Sequence, residues 1–435
     1  MHSVKRFALP FLLLCSTGAL AQNAQLAGEV SAIYPEIEKL YIDLHQTPEL
    51  STLEEKTSAK MAAVLRAAGF EVTTGVGGHG VVGVLKNGPG PVVMLRTELD
   101  ALPVEEKTGL PYASKVRARD ITGDDVPVMH ACGHDIHMAS WAGTARIMAA
   151  TRDRWSGMLI LIAQPAEERV VGAKAMIEDG LFTRFPKPDF AIGMHDDAWV
   201  PAGKVTVIPG YLLANADSVN VTIYGKGAHG SAPHASVDPI VIAARAILGF
   251  QALVAREKDP QEPGVVTVGA IHGGTKNNII PDKVELQLSV RSFTDETRKL
   301  LLDGIARIVK AEAASAGAPR EPEVKVIEST RATYNDPALA RRLEPVLAAA
   351  LGAGNIMPGK PVMASEDFSE YVLAGVPGFF LRAGAVNAAK YDEVKGDITK
   401  LPSLHSALFA PEREPTLRTA IASEVAVLRE LLKKK

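Results

Sequence analysis

Three histidines, a cysteine and an aspartate fall within Met129 to Ala139, which reads Met-His-Ala-Cys-Gly-His-Asp-Ile-His-Met-Ala. A thiolate, imidazoles and a carboxylate gathered this closely suit a transition metal. The competing reading is a buried free cysteine beside surface histidines. Further along, Gln164-Pro165-Ala166-Glu167-Glu168 sets two carboxylates side by side, and His195 and His405 stand alone. A pair of divalent ions needs anionic or imidazole ligands converging from different elements. Cys132, His134, Glu167, Glu168, His195 and His405, with Asp100 nearby, form such a dispersed set. Successive side chains diverge at an extended strand end, so one glutamate can bind metal while the other faces an attacking water. Taken singly, Glu167-Glu168 also reads as a solvated turn, and His195 or His405 as a structural or surface histidine.

Other chemistries lack their signatures. His-Glu-x-x-His, Gly-x-Ser-x-Gly and a phosphate loop ending Gly-Lys-Ser/Thr are all missing from the sequence. Gly75, Gly77, Gly78 and Gly80 precede a strand instead of opening a helix, which makes them a turn and not a dinucleotide loop.

The elements that must position these residues follow from periodicity. Ile33–Leu44 and Leu53–Ala68 are spaced as helices, and Gly69 stops the second. Gly80–Leu85 and Pro91–Arg96 read as strands, the second apolar from Val92 to Leu95, which implies cover on both faces of an α/β sheet. Asp100 lies just past it, where open α/β sheets place their ligands. Ile136–Ala150 is the next helix. Met158–Ala163 runs straight into the glutamate pair, and Phe190–Met194 is a strand ending on His195. Three apolar strands thus each deliver metal-type or acid–base residues at their C-terminal ends.

From Ser218 the pattern changes. A strand alternating through Val219, Val221 and Ile223 precedes a Gly-, Ser- and His-rich loop (225–236). Then come a helix (Asp238–Arg256), strands (Val265–Ile271, Val284–Phe293), a helix (Glu296–Ala314) and a strand (Val324–Glu328). This β-α-β-β-α-β order is the split-βαβ arrangement and reads as a second, inserted domain. Helices at Pro337–Leu351 and Glu366–Leu373, a strand at Phe379–Leu381, a loop holding His405 and a C-terminal helix complete the chain.

A length of 435 residues exceeds what one core usually serves. Hydrophobic residues at 47% and charged residues at 22% describe a globular enzyme or binding protein. A formal charge of −3 without a block of like charge asks for neither nucleic acid nor an acidic membrane surface. Lys5 and Arg6, the apolar run Phe7–Leu14 and Ala19-Leu20-Ala21 form a signal-peptide pattern cut before Gln22, which predicts export to the periplasm or medium. The apolar run is too short to span a bilayer as an anchor. Cleavage removes Cys15 and leaves Cys132 as the only cysteine. A lone thiol in an oxidising compartment has no internal disulfide partner, which favours a ligand role. The expected organisation is a signal peptide (1–21), a catalytic domain in two parts (22–216 and 330–435) and an inserted domain (217–329).

The chain resembles the amidohydrolase branch of the aminoacylase and carboxypeptidase-G metallopeptidases, which includes hippurate hydrolases, N-acyl-amino-acid amidohydrolases and plant hydrolases of auxin–amino-acid conjugates. The likeness rests on Asp100-Ala101-Leu102-Pro103, the His130–His137 stretch, Gln164-Pro165-Ala166-Glu167-Glu168 and Gly225-Lys226-Gly227-Ala228-His229. It continues in Asn278-Ile279-Ile280-Pro281-Asp282, Ser365-Glu366-Asp367-Phe368 and Leu404-His405-Ser406. It implies a zinc-peptidase-like α/β catalytic domain with a mixed central sheet, and an inserted ferredoxin-like lid and dimerisation domain. It makes Cys132, His134, Glu168, His195 and His405 ligands of two divalent ions (zinc, manganese, cobalt or nickel). Glu167 becomes the general base and acid, and Asp100 the acidic support of the metal site. His229 and Asn278 are implied to hold substrate or oxyanion, with His229 reaching the partner's active site in a homodimer or higher homo-oligomer. His130, Asp135 and His137 then orient the ligands without being ligands. One departure stands out: Arg96-Thr97-Glu98-Leu99-Asp100 carries glutamate at 98 where the branch has aspartate, which puts ligand geometry near Asp100 in question. Arg291, on the strand Val284–Phe293, is the candidate for a substrate carboxylate, its alternative being a surface arginine on an edge strand.

These readings converge on hydrolysis of the amide bond of an N-acyl amino acid or related small amide. A dipeptidase or carboxypeptidase using the same metal site is the second enzyme reading. A two-lobed solute-binding protein is the non-enzyme reading, and it has no need of a free carboxylate beside a metal-type cluster.

Overall fold

The computed structural model describes residues 14–434, with side chains from Asn23 onward. The expected signal peptide, residues 1–21, lies outside the residues whose side chains are described. The chain divides into two compact units. The larger holds residues up to Gly210, Asn335–Lys360 and Glu370–Lys435; the smaller holds Tyr211–Tyr334 and Pro361–Ser369.

An eight-stranded sheet organises the larger unit. Its order is Glu71–Val76, Gly80–Asn87, Gly157–Gln164, Val92–Glu98, Phe190–Pro201, Gly378–Val386, Val205–Thr206 and Ile356–Met357. Val92–Glu98 runs parallel to both neighbours, and Phe190–Pro201 runs parallel to Gly378–Val386. Gly80–Asn87 is antiparallel to both of its neighbours, so the sheet is mixed as expected. The near-continuous burial of Val93–Leu95 and Leu159–Ala163 explains why these strands read as unbroken apolar runs. Helices Leu14–Gln46, His134–Ala150 and Arg413–Leu431 share the core through Ile37, Tyr41, Trp141, Ile421 and Leu428.

Three expectations change. The strand expected to end at His195 continues to Pro201, because Arg382 pairs with His195 and the parallel register persists to Val386 opposite Pro201. The helix expected from Glu366 starts only at Ser369; the Glu366 carboxylate accepts the Phe368 N–H at 3.0 Å, a local turn that competes with helix. An edge strand, Glu71–Val76, lies where no strand was expected. Only Val76 of that strand is buried, so it carries no apolar signal.

The smaller unit carries a four-stranded antiparallel sheet ordered Gly264–His272, Lys283–Ser292, Asn215–Tyr224, Glu323–Thr330. In chain order of the strands this is 2-3-1-4, the ferredoxin-like arrangement. Helices Pro239–Ala252 and Asp295–Ser315 close one face through Ile242, Ala246, Phe250, Leu301 and Ile305 against Val219, Val221, Leu286 and Leu288. Asp238 and Thr294 cap these helices by accepting from the N–H of Ile240 and Thr297.

Candidate metal centre

The site forms where strand ends and helix starts meet in the larger unit. Gly133, left-handed at φ 78°, opens the helix His134–Ala150. A Cβ there would lie 2.4 Å from Asp196 Oδ2, so only glycine lets the Cys132–His134 turn pass over that carboxylate. The His405 backbone N–H donates to Ala131 O at 2.8 Å. His405 itself adopts φ 66°, an uncommon conformation for a side-chain-bearing residue that marks a constrained site.

Cys132 Sγ lies 3.4 Å from His195 Nε2 and 3.2 Å from His405 Nε2. His134 Nε2 lies 3.7 Å from Glu167 and 3.9 Å from Glu168, and His405 Nε2 lies 3.5 Å from Glu168. Three triads of donor atoms therefore overlap: Cys132–His134–His195, Cys132–Glu168–His405 and His134–Glu167–Glu168. Cys132 belongs to two of them.

Hydrogen bonds fix which ring nitrogen faces the cluster. His134 Nδ1–H donates to Asp100 O at 2.8 Å and His195 Nδ1–H to Asp196 O at 2.7 Å, leaving each Nε2 pointing inward. Asp100 is tied further, its Oδ2 accepting from Ser51 Oγ at 2.6 Å and from the Glu168 N–H at 2.9 Å. Burial alone would raise its carboxyl; the hydrogen bonds from His134 and Ser51 outweigh it and hold it below the usual range.

The electrostatics match a cation. Burial, then the charges of Glu168, Glu167 and Asp196, push the Cys132 thiol far up. Burial opposes a charged His134, yet its Asp100 hydrogen bond and the Glu98 and Glu168 charges bring it up to about 10. His134 Nε2 and Glu168 Oε1 are buried without a hydrogen-bond partner. Excess negative charge, an un-ionised thiol and inward lone atoms of S, N and O type fit divalent metal, which would balance the charge and draw off the thiol proton.

The supporting residues have defined partners. His137 Nε2 accepts the Asp196 N–H at 2.9 Å, and its Nδ1 faces Glu98 at 2.9 Å. Glu98 also pairs with Arg96. The extra methylene of Glu98 thus sits in an Arg96–Glu98–His137 chain, while Asp100 has its own separate ties. His45, between Asp135 at 2.6 Å and Glu106 at 3.1 Å, overcomes burial through those two bonds and is raised to about 10.

His229, Asn278 and Arg291 lie in the smaller unit. His229 pairs with Ile279, and the Gly230 N–H donates to Asn278 O at 2.8 Å, so His229 and Asn278 are neighbours. The Ser231 N–H donates to His229 Nδ1 at 3.1 Å, which puts the ring proton on Nε2. Arg291 is half-buried and donates to Ser289 and Ser365 at 3.2 and 3.1 Å. Its strand pairs on both sides, so it is not an edge strand.

Sequence reasoning missed the stretch 45–54, from the end of the first helix to the start of the next, whose His45, Ser51 and Glu54 all reach the site's supports. The available signal was the polar run His45-Gln46-Thr47-Pro48-Glu49 between two helical patterns, which spacing alone does not connect to anything.

The sequence pattern of Peptidase family M20/M25/M40 matches residues 94–398. The chain is 38% identical over 347 residues to a hippurate hydrolase of Campylobacter jejuni, covering 79% of this chain and 86% of that one. It is 36% identical over 400 residues to thermostable carboxypeptidase 2 of Saccharolobus solfataricus, covering 89% and 97%. Among solved structures, a dinuclear metal-binding peptidase of Bacillus subtilis superposes with a TM-score of 0.74 at 29% identity, covering 92% of this chain and 98% of that one.

Proposed function

We propose, for a chain that belongs to Peptidase family M20/M25/M40, that it hydrolyses the amide bond of N-acyl amino acids and related small amides at a two-metal centre. The observation that carries this reading is the triad overlap at Cys132, with Glu167 and Glu168 side by side at the same point. Cys132, His134, Glu168, His195 and His405 would hold the ions, whose identity among zinc, manganese, cobalt and nickel the mixed donor set leaves open. Divalent ions there supply Lewis acidity, bringing a water's pKa toward neutrality and polarising the amide carbonyl.

Glu167 takes a proton from the attacking water and returns it to the amine nitrogen as the C–N bond breaks, giving a carboxylate and an amine. His229, with its proton on Nε2, is the donor for the carbonyl oxygen as negative charge develops. Asn278 and Arg291 orient the substrate, the guanidinium being suited to a carboxylate. Asp100 fixes the His134 tautomer through its carbonyl oxygen.

Hippurate hydrolase activity in one relative supports the acyl-amino-acid substrate class, and carboxypeptidase in another supports the exopeptidase reading. A panel of benzoyl- and acetyl-amino acids, dipeptides and blocked peptides, run with and without chelator, separates them. Acyl-amino acids turned over in a chelator-sensitive way is the expected result. Glu167→Gln should retain metal and lose turnover by about a hundred- to ten-thousandfold. Metal-loaded protein that cleaves no amide, or Glu167→Gln at full activity, would sink the reading.

Two further points belong to the same reading. The N-terminal pattern at Lys5–Ala21 supports export. The exposed Ile240, Val241 and Leu248 on helix Pro239–Ala252, beside the edge strand Gly264–His272, support a homodimer through the smaller unit.

A further inference from the structure

Glu54 stands at the N-cap of helix Glu55–Ala67, yet its side chain makes no cap hydrogen bond. Glu49 does that work instead, accepting from the N–H of Lys56 and Thr57 at 3.2 and 2.7 Å. The Glu54 carboxylate is fully buried and turned the other way. Its Oε1 accepts the Ala166 N–H at 2.8 Å and the Thr52 N–H at 2.8 Å. Ala166 is the residue just before Glu167, and it holds φ 51°, a left-handed conformation unfavourable for alanine. The turn it opens is tight: the Val171 N–H returns to Ala166 O, and the Val170 N–H to Glu167 O. Thr52, on the other branch of the same carboxylate oxygen, is also left-handed at φ 72°.

A buried carboxylate that its own helix does not use, clamping two left-handed residues, is expensive unless the clamped geometry matters. We infer that Glu54 is a positioning residue for the reaction: by accepting the Ala166 N–H it holds the left-handed turn that aims the Glu167 carboxylate. Its function is hydrogen-bond acceptance, so an amide oxygen in the same place serves as well. The inference rests on the reading of Glu167 as the proton carrier.

The test uses the metal-loaded full chain with benzoylglycine as substrate, comparing Glu54→Ala, Glu54→Gln and Glu54→Asp. In Glu54→Ala, kcat should fall about ten- to a hundredfold, with KM and bound metal per chain unchanged. Glu54→Gln should keep kcat within about threefold of the parent, since it restores the acceptor. Glu54→Asp, one methylene short of Ala166, should behave like Glu54→Ala and replaces it should that variant not fold. The inference fails if Glu54→Ala and Glu54→Asp keep full kcat, if they lose metal in step with activity, or if Glu54→Gln is as damaged as Glu54→Ala. An active Glu167→Gln would instead overturn the proton-carrier reading itself, so the two failures are distinguishable.

Discussion

His134 and His195 each commit Nδ1 to a backbone carbonyl, so their Nε2 atoms face the cluster of candidate ligands around Cys132. His405 differs: among the described residues no hydrogen bond to its Nδ1 is found, its side chain is 54% exposed, and its backbone N–H is bound to Ala131 O. His405→Ala should therefore fold normally and lose bound metal, measured as metal per chain after dialysis. His229→Ala should do the reverse, keeping metal while kcat falls about a hundred- to a thousandfold, the cost of one oxyanion donor. Metal loss in His229→Ala would argue that it is a ligand and not a donor. Cys132 with His134, and Glu167 with Glu168, stood out as candidates from their spacing, because neighbours in sequence are neighbours in the cluster the structure forms. His195 showed only as the end of an apolar strand and His405 gave no local sign, since their contacts with Cys132 span 63 and 273 residues.

Helix Arg413–Leu431 lies against helix His134–Ala150 with a carboxyl group between them. Glu424 is buried, with Ser140 Oγ at 3.1 Å and Thr144 Oγ1 at 2.6 Å. Ser140 has one hydroxyl proton and also faces His137 O at 3.0 Å, so it serves both acceptors only if Glu424 is protonated and donates to it. Burial, against the bonds from Thr144 and Ser140, raises Glu424 to about 7. The folded state then holds a proton that the unfolded chain releases near its ordinary value of about 4.3. Stability is accordingly unaffected below about pH 4 and falls as pH rises through the window up to 7, by on the order of 3 kcal/mol in total. Glu424→Gln, which mimics the neutral form, should raise the thermal midpoint at pH 8 by about 2–4 °C and leave it nearly unchanged at pH 4.5. A variant less stable at pH 8 than the parent would show that the carboxylate form is the one the helices require. The C-terminal helix was legible as an element, whereas nothing in its sequence indicated that Glu424 faces inward.

At the scale of the whole molecule, the smaller unit buries one face of each helix and leaves Leu248 at 70% exposure. Leu248→Glu should convert the proposed dimer to monomer in sedimentation or light-scattering measurements, with the fold retained by circular dichroism. A monomeric parent, or a dimeric Leu248→Glu, would remove this helix face from the interface. The split-βαβ order was readable from the succession of its elements, and two of its strands, Asn215–Tyr224 and Lys283–Ser292, alternate buried and more exposed residues along their length. The short Pro361–Ser369 segment, which belongs with that unit although it follows later in the chain, was not.

Local patterns determined a great deal by themselves. Unbroken apolar strands, capped helices and the Cys132–His134 turn over a glycine are set by interactions a few residues long, so composition and period reveal them. The tertiary structure alone decided which distant groups share a charge environment. Ser51 reaches Asp100, Glu54 reaches Ala166, and His405 closes on Cys132, because the sheet brings loops from opposite ends of the chain to one edge. Hydrogen bonds and charge interactions act through space over a few ångströms, and sequence separation sets no limit on which residues make them.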